Sequence, residues 1–286
     1  MILTIKNCHH IIYFCKNILF NIVNSISNIF ILILGFLFVF SFLKQLQNLF
    51  KEKKFINSLN LINNENKYKK IIKICLSESP VFSKMINKIN IFENDLIKLS
   101  FTAGLIKPKI YLSTGLIKSL DQDELKAVIY HEISHCQKRD PLRKFLINFI
   151  SDFFLFLPIS GFLKDYIISI QERKADKMAS SFIHPLHLAS ALIKVAESKK
   201  NLYSTIWAFK HSSNLETRLK ELIYGQKTSF KFPIKKFLMT LIVLIIVFNM
   251  LLIPQFYAKT SNCECSVIKS KSHFYNCCEK TAKFGG

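Results

Sequence analysis

The sequence predicts a mainly α-helical fold that contains a short β-element and is flanked by two transmembrane helices. Three observations predict it: two long windows without charge, helical spacing of apolar residues in the middle of the chain, and two strand-like runs ahead of the central helix. Half of the 286 residues are hydrophobic, which is high for a soluble protein. The length accommodates one domain of ordinary size between the membrane segments.

The first uncharged window lies between Lys16 and Lys44. It predicts a membrane-spanning helix over 18–43, after an N-terminal tail of 1–17. Because bulky residues immediately precede Lys44, no small-residue cleavage site marks this window as a removable signal peptide. A second uncharged window predicts another membrane-spanning helix over 237–256.

Lysines accumulate on the inner flanks of both windows, so the positive-inside rule places the intervening domain, 44–236, in the cytoplasm. The C-terminal tail, 257–286, is then expected outside, where its cysteines could form disulfides. Their spacing does not match the C-x-x-C pattern of a zinc site. These cysteines are Cys263, Cys265, Cys277 and Cys278.

A third apolar stretch, 145–163, interrupts the central domain. It is compatible with a re-entrant or interfacial segment and with a buried pair of helices. Because Asp152 and Pro158 lie within it, and a charge at mid-depth in a bilayer is costly, burial or shallow membrane contact is favoured over a full span.

The formal net charge of +21 is the feature that could indicate nucleic-acid binding. However, the lysines are scattered, and the sequence has no RNA-binding aromatic signature, paired-cysteine finger or helix-turn-helix pattern. A basic face toward an anionic membrane accounts for the charge equally well. The lipid bilayer is therefore an expected partner, and nucleic acid is not.

Two short strand-like runs, 101–106 and 109–113, precede the central helix, and Lys107-Pro108 turns the chain between them. An exposed strand edge can pair with an extended peptide through main-chain hydrogen bonds. The β-element is therefore a candidate binding surface for a protein or peptide substrate.

The central helix begins at a capping box formed by Asp121 and Glu124, and Asp140-Pro141 is predicted to end it. His131 and His135 lie one turn apart on one face of this helix, a spacing that lets two imidazoles bind one tetrahedral zinc ion.

Glu132 lies between the two histidines in sequence and projects about 100° around the helix from His131. It is therefore expected beside the metal, where its carboxylate can act as the general base that activates water.

A third ligand is expected from a later helix-compatible run, 167–181, which contains Glu172 and Asp176 one turn apart. Glu172 completes a two-histidine, one-glutamate zinc site, and Asp176 is a candidate to accept the outer N–H of a ligand histidine. The alternative is a solvated charge cluster, because Arg173 and two lysines lie beside them.

Three stretches together resemble the integral-membrane gluzincin peptidases: F-T-A-G-L-I-K-P-K-I-Y-L-S-T-G-L, D-E-L-K-A-V-I-Y-H-E-I-S-H-C-Q-K-R-D-P-L and E-R-K-A-D-K-M-A. The resemblance covers 81–224. The E-R-K-A-D form is similar to the CAAX prenyl protease and HtpX-like family, and R-D-P-L is similar to the beta-lactam-sensor (BlaR-type) antirepressor peptidases. The resemblance implies a helical zincin-type domain, endopeptidase activity, and one Zn²⁺ on His131, His135 and Glu172.

The resemblance also implies a C-terminal histidine or arginine that steadies the oxyanion. His211 and Arg218 are the candidates in this sequence. The alternative is a packing stripe of leucines around a solvated Arg218.

Three functions follow as hypotheses. The first is a membrane-anchored zinc endopeptidase that cuts membrane-associated or misfolded proteins in the cytoplasm. The second is a signal-transducing membrane peptidase that cleaves a regulator, and the third is a non-catalytic membrane scaffold. The intact positions of the proposed site give the third no support.

Overall fold

The computed structural model describes residues 2–62, 67–77, 80–199, 215–225 and 231–261. The helices are α1 (Ile2–Asn57), α2 (Lys67–Leu76), α3 (Pro80–Ser83), α4 (Thr114–Ser119), α5 (Gln122–Gln137), α6 (Asp140–Phe153), α7 (Ser160–Ser180), α8 (Pro185–Lys199), α9 (Leu215–Tyr224) and α10 (Ile234–Ser261). The strands are β1 (Ile89–Phe92), β2 (Ser100–Ala103) and β3 (Lys109–Ser113). The mainly α-helical prediction is confirmed.

The chain forms two compact units, one of 37–240 and one that combines 1–36 with 241–286. In the part of the chain that the structure describes, one helical segment is long and apolar enough to cross a membrane, Asn24–Asn57 of α1. The predicted second span, 237–256, lies within the continuous helix α10. That it crosses a membrane stays a prediction. The cysteine-containing tail lies outside the described residues, except for its first turn in α10.

The sheet has the strand order β1-β3-β2, in which β1 is parallel and β2 antiparallel to the central strand. The sequence predicted β2 and β3 but missed β1, a four-residue strand whose apolar residues are interrupted by Asn90. The predicted end of β2 at Ile106 is wrong. The strand ends at Ala103 because Gly104 takes a φ of 104°, a left-handed conformation that glycine adopts easily.

Helix α5 is the centre of the larger unit and is buried from Glu124 to Cys136. Its apolar residues pack with the sheet in one hydrophobic core, which includes Ile129, Ile133 and Leu112. A helix buried on every side has no solvated face, so its charged residues must find partners inside the protein. This burial explains why charged residues of α5 contact polar side chains of neighbouring helices and strands.

The predicted capping box at the start of α5 is present in both directions. The Asp121 side chain accepts from the Glu124 backbone N–H at 2.8 Å, and the Glu124 side chain accepts from the Asp121 N–H at 3.0 Å. Glu124 also accepts hydrogen bonds from Ser190 and Lys194 of α8, each at 2.6 Å. The Glu124 carboxylate therefore caps the N-terminus of α5 and also binds α8 to α5.

Replacing this carboxylate, in Glu124→Ala, is expected to destabilise the fold by about 1–3 kcal/mol, because two donors from α8 and one backbone N–H lose their acceptor. A lowered thermal midpoint of the detergent-purified protein measures the effect. Glu216→Ala, which removes an 81% exposed carboxylate from the first turn of α9, is the control and is expected to change the midpoint little. Equal midpoints for both variants would contradict the assignment.

The Glu124 carboxylate also makes the stability of the fold depend on pH. Burial by itself raises the pKa of Glu124, but the hydrogen bonds from Lys194 and Ser190 hold that pKa below its ordinary value. Its stabilising contribution is therefore complete above the pKa of an unfolded glutamate, about 4.3, and is lost as the pH falls through the lower folded pKa.

The link from α5 to α6 departs from the sequence prediction. Asp140-Pro141 was predicted to end the central helix, but α5 ends at Gln137 and Asp140 begins α6. Pro141 fits the first turn of a helix, where its missing N–H leaves no intrahelical bond unmade. Arg139 between the helices has a left-handed φ of 52°, which is strained for a residue other than glycine.

The apolar stretch 145–163 forms parts of a helical hairpin made by α6 and α7, with the turn at 154–159. Asp152, whose charge argued against a full membrane span, is paired: Lys44 and Gln45 of α1 donate to its two oxygens at 2.7 Å each. The ring of Phe149 packs edge-on against Phe38 of α1, with centroids 5.4 Å apart. The hairpin therefore packs on the end of the predicted first span. Its contact with lipid stays a prediction.

Candidate metal centre

Two histidines of α5 and one glutamate of α7 converge on one point. Nε2 of His131 lies 3.1 Å from Nε2 of His135. Glu172 places one carboxylate oxygen 3.5 Å from Nε2 of His131 and the other 3.7 Å from Nε2 of His135. The packing of α7 against α5 brings these three side chains together, and they form a group that could hold a metal ion.

The outer nitrogen of each ring faces a buried carboxylate. Nδ1 of His135 lies 2.7 Å from Oδ2 of Asp140, whose side chain is 1% exposed. Nδ1 of His131 lies 3.0 Å from Oδ1 of Asp176. A carboxylate favours the proton on the nitrogen that faces it, so the ring of His135 is held with its Nε2 lone pair turned inward. For His131 the contact with Asp176 is close but not aligned as a hydrogen bond, so Asp176 favours the same tautomer through its charge. At 3.1 Å the two Nε2 atoms can share one proton in an N–H···N hydrogen bond, and they can equally both bind one metal ion.

The spacing fits zinc. A tetrahedral zinc ion with bonds of about 2.0–2.1 Å needs ligand atoms roughly 3.3 Å apart. The two histidine nitrogens lie 3.1 Å apart, and Glu172 approaches them with different oxygens, at 3.5 Å from His131 and 3.7 Å from His135. Taking one ligand atom from each residue, all three atoms lie within 4.8 Å of one another, which a zinc ion can bridge after small shifts of the side chains. Two imidazoles and one carboxylate also match the donor set of catalytic zinc sites, in which a fourth position stays open.

Burial and pairing together set the charges of this site. Burial by itself lowers the pKa of His131, but its contacts with Asp176 and Glu172 raise that pKa to about 9. Burial would also raise the pKa of Glu172, yet the two histidines and Lys144 hold it well below its usual range. Glu172 is therefore ionised at neutral pH, as a metal ligand must be.

Glu132 follows His131 directly on α5. Its side chain is buried, and its Oε2 accepts a hydrogen bond from Oγ1 of Thr102 at 2.8 Å. Thr102 belongs to β2, which is an edge strand, so the edge of the sheet lies next to the Glu132 carboxylate. The strand edge that the sequence left unassigned is thus β2, because β1 is partly covered by a bridge from Leu61 to Phe92.

Arg218 of α9 holds the carboxylates of α7. Its Nε and one terminal nitrogen donate to the two oxygens of Asp176 at 2.7 and 2.6 Å, and its other terminal nitrogen lies 3.2 Å from Glu172. Its side chain is 13% exposed, so it is not the solvated residue of the alternative hypothesis. Burial by itself raises the pKa of Asp176, but Arg218 and His131 lower it below the ordinary value.

The structure brings together six of the seven predicted site residues. The seventh, His211, lies outside the described residues. The oxyanion role predicted for His211 and Arg218 stays a prediction.

Three further contacts of the site were missed: Asp140 on His135, Thr102 on Glu132, and Lys144, whose amine lies 3.5 Å from Glu172. Asp140 carried a signal, since an acidic residue shortly after the second histidine can fold back onto it. No pattern in the sequence indicated the contacts of Thr102 and Lys144.

Comparison with known proteins identifies the family of this chain. The family described as BlaR1 peptidase M56 matches residues 16–222. "Regulatory protein BlaR1" of Staphylococcus aureus is 26% identical over 180 residues, which are 63% of this chain and 29% of that protein. "Regulatory protein BlaR1" of Bacillus licheniformis is 26% identical over 164 residues, 56% of this chain and 26% of that protein.

The chain thus spans less than a third of the length of these relatives. The resemblance to the beta-lactam-sensor peptidases is confirmed. Because the family match covers well over half of the 286 residues, this chain belongs to the BlaR1 peptidase M56 family.

Proposed function

We propose that this chain is a membrane-anchored zinc endopeptidase that hydrolyses peptide bonds at the centre formed by His131, His135 and Glu172. One observation carries the proposal: two imidazole Nε2 atoms face each other at 3.1 Å, while a buried carboxylate occupies the outer nitrogen of each ring. This arrangement presents two ring nitrogens to one cation, and the donor set favours zinc over harder divalent ions.

The chemistry divides between metal and protein. Zinc, when bound, supplies a Lewis acid for the scissile carbonyl and makes water nucleophilic near neutral pH. Glu132 takes the proton of the attacking water and delivers it to the leaving amine. Thr102 fixes the orientation of that carboxylate through the 2.8 Å hydrogen bond. Arg218 positions Glu172 and Asp176, and its predicted role in steadying the oxyanion stays a prediction.

The edge of β2 is the proposed substrate-binding surface. An extended peptide that adds to this edge runs past the Glu132 carboxylate, because Thr102 joins the strand to that side chain. Main-chain hydrogen bonds to β2 place few demands on the side chains of the substrate. We therefore expect the preference for particular substrate sequences to come from nearby pockets and not from the strand edge.

Two versions of this proposal differ in the substrate. In the first the peptidase cuts membrane-associated or misfolded proteins, and in the second it cuts a regulator. The name "Regulatory protein" carried by the relatives favours the second version. Membrane anchoring rests on the apolar segment Asn24–Asn57 of α1, and the cytoplasmic orientation rests on the lysines that flank the central domain.

Metal content is the first test. Detergent-purified wild type is expected to carry about one zinc per chain by mass spectrometry and to cut a casein-type protein substrate, since the centre offers a complete donor set. Chelation should remove both properties, and added zinc should restore them. His135→Ala is expected to purify without zinc, because two of three ligands cannot hold the ion tightly.

The matched control is His187→Ala, which removes a histidine whose side chain is 40% exposed at the start of α8, and it should keep full zinc content. A wild type that binds no divalent metal would overturn the proposal and favour the non-catalytic scaffold. Full zinc content in His135→Ala would show that the metal binds at another site in the protein.

A further inference from the structure

The open edge of β2 presents the main chain of two residues, Ser100 and Thr102. In an antiparallel pair of strands, residues that exchange main-chain hydrogen bonds with the partner alternate with residues that do not. The N–H of Ser113 in β3 donates to the carbonyl of Leu99, just before β2, at 3.0 Å. Counting from that pair, the N–H and C=O groups of Ser100 and Thr102 point away from β3. No residue in the described parts of the chain hydrogen-bonds to these main-chain groups on the open side.

The next main-chain group along this edge, the N–H of Gly104, is capped by a side chain of α1. It donates to Oε1 of Glu52 at 3.2 Å. Gly104 also turns the chain out of the strand with its left-handed φ of 104°. A peptide that pairs with the edge therefore loses its main-chain partners after Thr102. It meets the carboxylate of Glu52 where the next partner would be.

The end of α1 fixes the position of this carboxylate. Phe55, about one helical turn after Glu52, packs on Phe101 of β2 with ring centroids 5.7 Å apart. It belongs to the apolar side chains that cover the face of the sheet opposite α5. Glu52 lies eight residues beyond Lys44, which closes the uncharged window, a distance of about 12 Å along the helix. The carboxylate is thus part of the central domain and is held against the sheet.

The charge of Glu52 is left without a cation. In the parts of the chain that the structure describes, its Oε2 accepts no hydrogen bond and its carboxylate forms no ion pair. The neighbouring lysines of α1, Lys51 and Lys53, are exposed, whereas Glu52 is half-buried. Partial burial of a carboxylate costs free energy unless hydrogen bonds or an opposite charge compensate. A cation brought by a ligand would supply a charge-assisted hydrogen bond at this point.

We propose that Glu52 selects substrates that carry a lysine or arginine side chain at the end of the segment that pairs with β2. The substrate main chain pairs with Ser100 and Thr102, and its basic side chain binds Oε2 of Glu52. Because Thr102 contacts Glu132 and lies two residues from Gly104, the basic residue lies about two to four residues from the cut bond. The inference rests on the proposed function, in which β2 is the substrate-binding edge.

Peptide binding to the full chain tests the inference. Two fluorescein-labelled peptides of ten residues, alternating valine and serine, differ only in a central lysine or norleucine. The detergent-purified protein carries Glu132→Gln, so that the peptides are bound and not cut. By fluorescence anisotropy, the lysine peptide is expected to bind about tenfold more tightly than the norleucine peptide. Non-specific attraction cannot produce this result, because the formal net charge of +21 disfavours the basic peptide.

Glu52→Gln in the same background removes the charge but keeps an oxygen that can accept from Gly104, and it is expected to bind both peptides equally. The matched control is Glu93→Gln, at an exposed carboxylate directly after β1, and it should keep the preference for lysine. Equal thermal midpoints of the two variants report that the fold is intact. With the native Glu132, mass spectrometry of the cut lysine peptide should place the cleavage about two to four residues from the lysine.

Equal binding of the two peptides by the parent protein would overturn the role of Glu52, as would a lysine preference that survives in Glu52→Gln. Binding of neither peptide would overturn both this role and the use of β2 as the substrate edge. A lysine preference that is lost in Glu52→Gln, in a protein whose native form cuts no peptide, would keep the basic-residue site and remove the peptidase function.

Discussion

Glu132→Gln is expected to leave the zinc in place and to lower peptide cleavage by about 10²–10⁴-fold, the range that a positioned general acid–base contributes. Glutamine keeps the size of the side chain and can still contact Thr102, which holds the carboxylate at 2.8 Å. It cannot accept a proton from water near neutral pH. The change therefore removes the base without removing a metal ligand.

Measuring zinc content and cleavage on the same preparation separates this effect from misfolding. Glu216→Gln, at a carboxylate that is 81% exposed on α9, is the matched control and should keep both zinc and activity. Full cleavage by Glu132→Gln would show that another group accepts the proton. Loss of zinc in Glu132→Gln would instead place this side chain among the ligands.

Asp140→Asn is expected to weaken zinc binding by about 10–100-fold, although Asp140 does not reach the metal position. Its carboxylate holds Nδ1 of His135 at 2.7 Å and is 1% exposed, so water cannot replace it. An amide can present its NH₂ group to the ring, and it then favours the tautomer that turns the lone pair away from the metal. Asp176→Asn should act in the same way on His131.

Competition with a fluorescent zinc chelator measures this loss for each variant. Asp123→Asn, which changes a 53% exposed carboxylate in the first turn of the same helix, is the control and should keep wild-type affinity. Unchanged zinc affinity in Asp140→Asn would show that the ring of His135 is oriented by the packing of α5 alone.

Much of the site was predictable because its parts are local in sequence. The capping box sets the phase of α5, and the spacing of His131 and His135 then puts both rings on one face of the helix. Glu172 and Asp176 repeat that one-turn spacing on α7. Periodicity and turn chemistry therefore sufficed to identify the groups, although not the distances between them.

The contacts that sequence missed depend on how helices pack. Asp140 was treated as the end of one helix because a residue before proline leaves the helical region. It in fact starts the next helix, after a left-handed Arg139 turns the chain back toward His135. Thr102 reaches Glu132 across thirty residues of sequence, which no local pattern reports. The short strand β1 pairs with β3 and has too few residues to show alternation.

Helix α6 joins the metal centre to the membrane segment. Its first residue, Asp140, binds a ligand histidine, and Asp152 near its other end binds Lys44 of α1. Those two carboxylates are twelve residues apart, so a rigid rod of about 18 Å separates them. In the proposed membrane-anchored peptidase, the length of α6 therefore limits the distance between the metal centre and the bilayer. Under that proposal, a substrate tethered to the same membrane is expected to need about six extended residues between the lipid and the bond that is cut.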